Sequence, residues 1–122
     1  MNLSGQPIQE VVNFYKIDKK KIYIIHDDLD LELGKVKLKF GGGNGGHNGL
    51  TNIDEMIGNN YNRIRIGINH PGSKDLVSSY VLNKFTNDEM NLIEKKLNKV
   101  TENFNILLDD KVLFLTKIAE NN

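Results

Sequence analysis

Residues 35–49 read KVKLKFGGGNGGHNG, an alternating segment that runs directly into a glycine-rich turn. Residues 35–40 alternate lysine with apolar side chains, the pattern of a strand with one buried and one solvated face. Six of the nine residues from 41 to 49 are glycine, and the other three are polar. Because glycine loses the most conformational entropy on folding, this density is favoured where the backbone turns sharply or closely approaches a ligand.

The glycine run ends in two polar side chains, His47 and Asn48, at the predicted start of a helix. Apolar residues follow at helical spacing, namely Leu50, Ile53, Met56 and Ile57. Unpaired amides at a helix N-terminus favour anions, so phosphate is a candidate ligand here. The alternative is a flexible glycine linker, although linkers lack an embedded His-Asn pair and a flanking strand.

Outward from this segment, the patterns of the chain alternate between strands and helices. Strands are predicted at residues 22–25, 35–40 and 63–68. One helix is predicted to start within residues 4–7 and run to residue 15, and a second to open at residues 47–49 and run to residue 57. Further helices are predicted at residues 76–81, 86–107 and 111–119. The first strand is a continuous apolar run typical of burial on both faces, and the third points its isoleucines inward and both arginines outward. Strands that alternate with helices in this way predict an α/β fold in one domain over residues 1–122.

Composition excludes several classes of protein. The 122 residues carry no net charge, so any contact with RNA must come from a local patch. The absence of cysteine excludes disulfides and thiolate metal sites, and a cytoplasmic location is expected. No apolar run approaches the ~20 residues that span a bilayer, so no membrane association is predicted.

The end of the first predicted strand is a candidate catalytic or binding site. Asp27 follows a buried strand, and ligands collect at the carboxyl ends of strands in open α/β sheets. His26 should point to the opposite face, so these neighbours are not expected to form a dyad. The alternative is that Asp27 and Asp28 are solvated turn residues.

Five cations on the alternating strands offer a surface for phosphates if the strands are neighbours. These are Lys35, Lys37, Lys39, Arg63 and Arg65. The alternative is that the lysines only keep one strand face solvated.

Other phosphate and metal motifs are weak or missing. The helix after the glycines lacks the Gly-Lys-Ser/Thr of a P-loop, and the dinucleotide fingerprint is matched only loosely. Three histidines without paired-ligand spacing predict no metal site.

Several segments together carry a resemblance to a known family. They are MNLSG at residues 1–5, HDDLD at 26–30, GGGNGGHNGL at 41–50, RIRIGI at 63–68 and HPG at 70–72. In order and spacing they resemble bacterial-type peptidyl-tRNA hydrolase over nearly the whole chain. The resemblance implies a mixed sheet flanked by helices. It also implies cleavage of the ester between a peptide and the terminal ribose of tRNA, without a metal or organic cofactor.

The resemblance also implies roles for individual residues. Asp27 matches the carboxylate that orients the catalytic histidine, and Asn2 and Asn48 match amides that position the peptide and the attacking water. His47 lies in the same site. Lys37 and Arg65 match cations that hold the 5′ phosphate of the tRNA acceptor end, and residues 70–74 with the helix after them resemble a flap over the cleft.

The sequence departs from the family pattern at its start. The family begins with a strand carrying Gly-Asn-Pro-Gly and a later Thr-Arg-His-Asn that supplies the catalytic histidine, and neither is present here. We therefore expect the chain to be the C-terminal part of the enzyme, lacking an N-terminal strand and helix, with impaired activity and poor solubility or oligomerisation. The intact enzyme is expected to be a monomer. The alternatives are a non-catalytic fragment that binds the tRNA acceptor end, or an inert gene remnant.

Overall fold

Three strands form one mixed sheet in the computed structural model, which describes residues 3–70 and 85–120. The strands are β1 (Tyr23–Asp28), β2 (Val36–Phe40) and β3 (Asn62–Gly67), in the order β1-β3-β2. The helices are α1 (Gly5–Tyr15), α2 (Asn48–Ile57), α3 (Asn87–Glu102), α4 (Phe104–Asp109) and α5 (Lys111–Ala119). The predicted α/β class with a mixed sheet is confirmed.

Backbone hydrogen bonds show that β1 and β3 are parallel. The Asn62 amide donates to the Ile22 carbonyl, and the Ile68 amide donates to the Asp28 carbonyl. The numbers of the paired residues rise together along both strands, which is the register of a parallel pair.

The pairing of β3 with β2 is antiparallel. The Gly41 amide donates to the Tyr61 carbonyl, whereas the Gly34 amide donates to the Gly67 carbonyl. As the numbering rises along one strand it falls along the other, so the central strand has one parallel and one antiparallel neighbour.

The chain divides into two compact units. Unit 1 comprises Met1–Ile25 and Leu38–Ile64, and unit 2 comprises His26–Lys37 and Arg65–Asn122. No observation tests the prediction of a single domain, which stays a prediction.

Unit 1 contains α1 and α2, which pack on one another. The Gly5 amide donates to Asn52 Oδ1 at 2.7 Å, and a Cβ at Gly5 would overlap the Asn52 carbonyl. Glycine is therefore required at this helix crossing. The core of the unit consists of Ile53, Ile57 and Tyr61, with Ile8, Ile22 and Ile24 packed against it.

Unit 2 contains α3, α4 and α5, which contact one another. Their buried residues are Val100, Leu107, Phe114 and Ile118. The predicted capping box is present, because the Thr86 hydroxyl accepts from the Glu89 amide and the Glu89 carboxylate accepts from the Thr86 amide.

Three predictions of local structure need correction or lie outside the described part. The single helix predicted for residues 86–107 is two helices that meet at Asn103. The first strand continues to Asp28 and is not buried on both faces, since Ile24 packs against the core while Ile25 on the opposite face is 41% exposed. The helix predicted at residues 76–81 lies outside the described residues. Within residues 3–70 and 85–120, no helix is both long and apolar enough to cross a membrane.

Candidate functional site

The loop after β2, residues 41–46, is built on glycine backbone and is called the glycine loop below. Four of its glycines have positive φ: Gly41 (63°), Gly42 (84°), Gly45 (61°) and Gly46 (80°). Residues with a Cβ rarely adopt this region, so the conformation itself requires glycine. The sharp turn predicted from the sequence is present.

Arg63 at the start of β3 holds the glycine loop through its carbonyl oxygens. Its Nη1 donates to the Gly43 carbonyl at 2.6 Å, and its Nη2 donates to the Gly42 carbonyl at 3.2 Å. The side chain is only 2% exposed, so the prediction that Arg63 faces solvent is wrong. The central strand β3 is buried on both faces. The Arg63 guanidinium therefore forms hydrogen bonds with backbone carbonyls instead of with water.

Asp54 on α2 is the acidic partner of this guanidinium. Both of its carboxylate oxygens lie 3.4 Å from Arg63 Nη2. The Tyr61 hydroxyl donates to Oδ1 at 2.6 Å and Asn44 Nδ2 donates to Oδ2 at 3.2 Å. Burial of Tyr61, and then its hydrogen bond to Asp54, raise the pKa of the phenol to about 12.

His47 and Asn48 follow the glycine loop at the start of α2. His47 Nδ1 accepts a hydrogen bond from the Leu50 amide at 3.1 Å and thereby caps the helix. Because Nδ1 accepts here, the neutral ring carries its proton on Nε2. Asn48 is the first helical residue and is exposed.

Asp27 and Asp28 lie at the end of β1, in unit 2. Asp28 Oδ2 accepts a 2.7 Å hydrogen bond from Arg65 Nε. Burial raises the pKa of the Asp28 carboxyl, but the hydrogen bonds from Arg65 and from the Asp30 amide lower it more, so this pKa lies below its ordinary value. Asp27 is partly buried, and His26 Nδ1 donates to the Asp27 backbone carbonyl at 2.7 Å.

The five cations of the predicted strip differ in exposure. Lys35, Lys37 and Lys39 are exposed on and beside β2. Arg65 is partly exposed and paired with Asp28, whereas Arg63 is buried and contributes no surface charge. Asn2 and most of the flap-like segment lie outside the described residues.

Sequence reasoning missed the Asp54, Tyr61 and Asn44 cluster. The sequence signal for this cluster was Arg63 among the isoleucines of β3. A buried cation requires hydrogen-bond acceptors nearby, so such an arginine predicts an acidic or carbonyl partner. The sequence does not say which of sixteen acidic residues supplies the charge. Within the described ranges, no group of three or more histidine, cysteine, aspartate or glutamate residues is placed to hold a metal ion.

Comparison with known proteins gives the family. The sequence model described as Peptidyl-tRNA hydrolase matches residues 1–121. The chain belongs to the peptidyl-tRNA hydrolase family. A peptidyl-tRNA hydrolase of Rickettsia bellii (strain RML369-C) is 54% identical over 112 residues, covering 92% of this chain and 60% of that protein. The relative of the same name in Rickettsia conorii (strain ATCC VR-613 / Malish 7) is 50% identical over 120 residues, 98% of this chain and 65% of its own length.

A solved member of the family has the same fold. The crystal structure of peptidyl-tRNA hydrolase from Acinetobacter baumannii superposes with a TM-score of 0.84 at 42% identity, covering 97% of this chain and 61% of that one. The present chain therefore spans about three fifths of the length of the peptidyl-tRNA hydrolases that it matches.

Proposed function

We propose that this chain binds peptidyl-tRNA in the cytoplasm and takes part in hydrolysis of the ester between the peptide and the tRNA. The observation that carries the proposal is the family match over residues 1–121. The substrate follows from the name of the family, and the acceptor end of the tRNA is the part that bears the ester. We further propose that the intact enzyme acts as a monomer.

In the proposed reaction, Asp27 orients a histidine that removes a proton from the attacking water. A carboxylate fixes the tautomer of such a base and stabilises its cationic form. The amides of Asn48 and Asn2 hold the peptide and the water in line for attack. We assign His47 a role as a substrate contact on the basis of the family resemblance.

The proposed reaction needs a histidine as general base, and two histidines of this chain are already engaged in structural hydrogen bonds. His26 Nδ1 donates to a backbone carbonyl, and His47 Nδ1 accepts from a helix amide. Each of these two rings already has a structural use, and the third histidine, His70, is exposed and precedes a proline. Since general-base assistance is worth about 10² to 10⁴ in rate, we propose that this polypeptide alone hydrolyses its substrate slowly.

The phosphate contact is assigned to Lys37 and Arg65. Lys37 is exposed on β2, and Arg65 is partly exposed while its Nε is bonded to Asp28. The ion pair fixes the direction of the guanidinium, which suits a planar group that binds phosphate through two parallel bonds.

Hydrolysis of N-acetylaminoacyl-tRNA tests the catalytic part of the proposal. Any base that Asp27 orients in this polypeptide is one of its own histidines, so turnover that depends on Asp27 reports such a base. We expect Asp27→Asn to abolish the slow turnover and Asp30→Asn, at an exposed position on the same turn, to leave it unchanged. Equal rates for the wild-type chain and Asp27→Asn would remove Asp27 from the mechanism.

A second candidate function is non-catalytic binding of the acceptor end, which the engagement of His26 and His47 favours. It predicts salt-dependent tRNA binding without ester cleavage. The double variant Lys37→Ala/Arg65→Ala should lose this binding and its preference for a 5′-phosphorylated acceptor stem. Arg65→Lys, which retains the charge beside Asp28 but loses the planar guanidinium, should bind more weakly than the wild type and more strongly than the double variant. Unchanged binding by the double variant would contradict the assignment.

A further inference from the structure

We infer that the buried pair Asp54–Arg63 is a positioning device that fixes the glycine loop and, through it, His47 and Asn48. The link to catalysis rests on the proposed function, in which those two residues contact the substrate. The link to the loop rests on the contacts within unit 1 alone.

Beyond the ion pair, the glycine loop is held by further hydrogen bonds and little side-chain packing. The Gly41 amide donates to the Tyr61 carbonyl at 2.9 Å, Asn59 Nδ2 donates to the Gly42 carbonyl at 3.2 Å, and the Gly46 amide donates to Asn44 Oδ1 at 3.0 Å. A Cβ added at Gly43, Gly45 or Gly46 would meet nothing within 4 Å, so neighbouring side chains do not pack against these positions. Lys39 also reaches the Gly43 carbonyl, but at 3.3 Å and from an exposed position. The hydrogen bond from Arg63 to the Gly43 carbonyl is shorter, at 2.6 Å, and comes from a buried guanidinium, so it is the stronger of the two.

Both halves of the loop meet at the same ion pair. Arg63 binds the carbonyls of Gly42 and Gly43, while Asp54 accepts from the Asn44 side chain. A buried guanidinium without acceptors is costly, so the native arrangement of these carbonyls and the burial of Arg63 stabilise each other.

The glycine loop is hydrogen-bonded to the residue that caps α2, so the position of the loop affects the start of this helix. The Asn44 carbonyl accepts from the His47 amide at 3.0 Å, and His47 caps the helix whose first residue is Asn48. A loosened Asn44 therefore releases the N-terminal end of α2, where the two substrate-facing residues lie.

Amide hydrogen exchange followed by NMR tests this inference without requiring activity. We expect Asp54→Asn and Arg63→Lys to speed exchange at residues 42–48 by about tenfold relative to α1, as for the loss of one charge-assisted hydrogen bond. Asp54→Glu, which keeps the carboxylate, should restore most of the protection.

Ile57→Val serves as the control, since it weakens the core of unit 1 without touching the loop. It should speed exchange in α1 and in the loop by the same factor. If Asp54→Asn also changes both regions equally, the pair is merely a stabilising contact and the inference fails. If either pair variant does not fold, Asn44→Ala takes its place, because Asn44 is partly exposed and bonds directly to Asp54.

Turnover of N-acetylaminoacyl-tRNA provides a second readout. We expect Asp54→Asn to lower kcat by a larger factor than it raises KM, because the displaced Asn48 aligns the water for attack while the phosphate contacts lie on other residues. If the wild-type chain has no turnover, the proposed function fails for this polypeptide, and the exchange result still decides whether the pair positions the loop.

Discussion

At the scale of single residues, the hydroxyl of Tyr61 is the clearest example of a group tuned by its surroundings. It is fully buried, donates to Asp54 at 2.6 Å, and its ring centroid lies 5.0 Å from the Arg63 guanidinium. Ionisation of this phenol would place a second anion beside Asp54. The neutral phenol is therefore part of the folded state.

The raised pKa of Tyr61 predicts a loss of stability at alkaline pH. The unfolded phenol titrates near 10 and the folded one near 12, so the unfolded chain releases the proton first and stability falls as pH rises through this window. The full contribution is about 2–3 kcal/mol in the free energy of unfolding. Urea denaturation between pH 8 and 11.5 measures the part of this loss that occurs below the folded pKa, and Tyr61→Phe should show a smaller decline than the wild type.

The exposed Tyr15 provides the control for this experiment. Tyr15→Phe, on a side chain that is 69% exposed, should decline with pH as the wild type does. Identical slopes for the wild type and Tyr61→Phe would contradict the buried hydrogen bond to Asp54.

At the scale of helices, apolar packing and a partly buried lysine contact hold the helices of unit 2 together. Lys96 on α3 donates to the Ile118 carbonyl near the end of α5 at 2.7 Å. Burial, and then the charges of Lys99 and Lys95, lower the pKa of the Lys96 amine. The lysine thus satisfies a helix-terminal carbonyl that would otherwise need another partner.

Replacement of Lys96 by methionine keeps the apolar stem and removes this donor. We expect Lys96→Met to lower the free energy of unfolding by about 0.5–1.5 kcal/mol and to reduce amide protection at the C-terminal end of α5. Lys95→Met at the exposed neighbouring position is the control. Unchanged protection in α5 would show that the contact contributes nothing.

At the scale of the whole molecule, unit 1 has apolar surface open to solvent. A cavity of about 330 Å³ there is lined by Pro7, Ile8, Val11, Val12, Ile17, Ile22 and Ile24. Phe14 on α1 is 79% exposed. Exposed apolar patches of this kind promote association.

We therefore expect the purified chain to self-associate as its concentration rises. Light scattering after size-exclusion chromatography measures the mass, and Phe14→Glu should shift the species toward the monomer. Val112→Glu, at a position of unit 2 that is 76% exposed, should not. A single monomeric species at all concentrations would contradict this expectation.

The sequence by itself determined the elements that depend on neighbouring residues. The alternation of residues 35–40, the capping box at Thr86 and the glycine run each specify a local backbone conformation. The motifs that resemble the family were equally local, so the family was also predictable. Roles for Asp27 and Asn48 follow from those motifs and stay predictions.

Only the tertiary structure decided which charges are buried and with what partners. Alternation assigns Arg63 to a face of β3, but whether that face meets water depends on what packs over it. The nearest anion, Asp54, lies on a helix that precedes the strand, and the carbonyls of Gly42 and Gly43 come from farther back in the chain. Contacts between distant positions leave no periodic trace in the sequence, because any acidic residue on a suitable surface could serve.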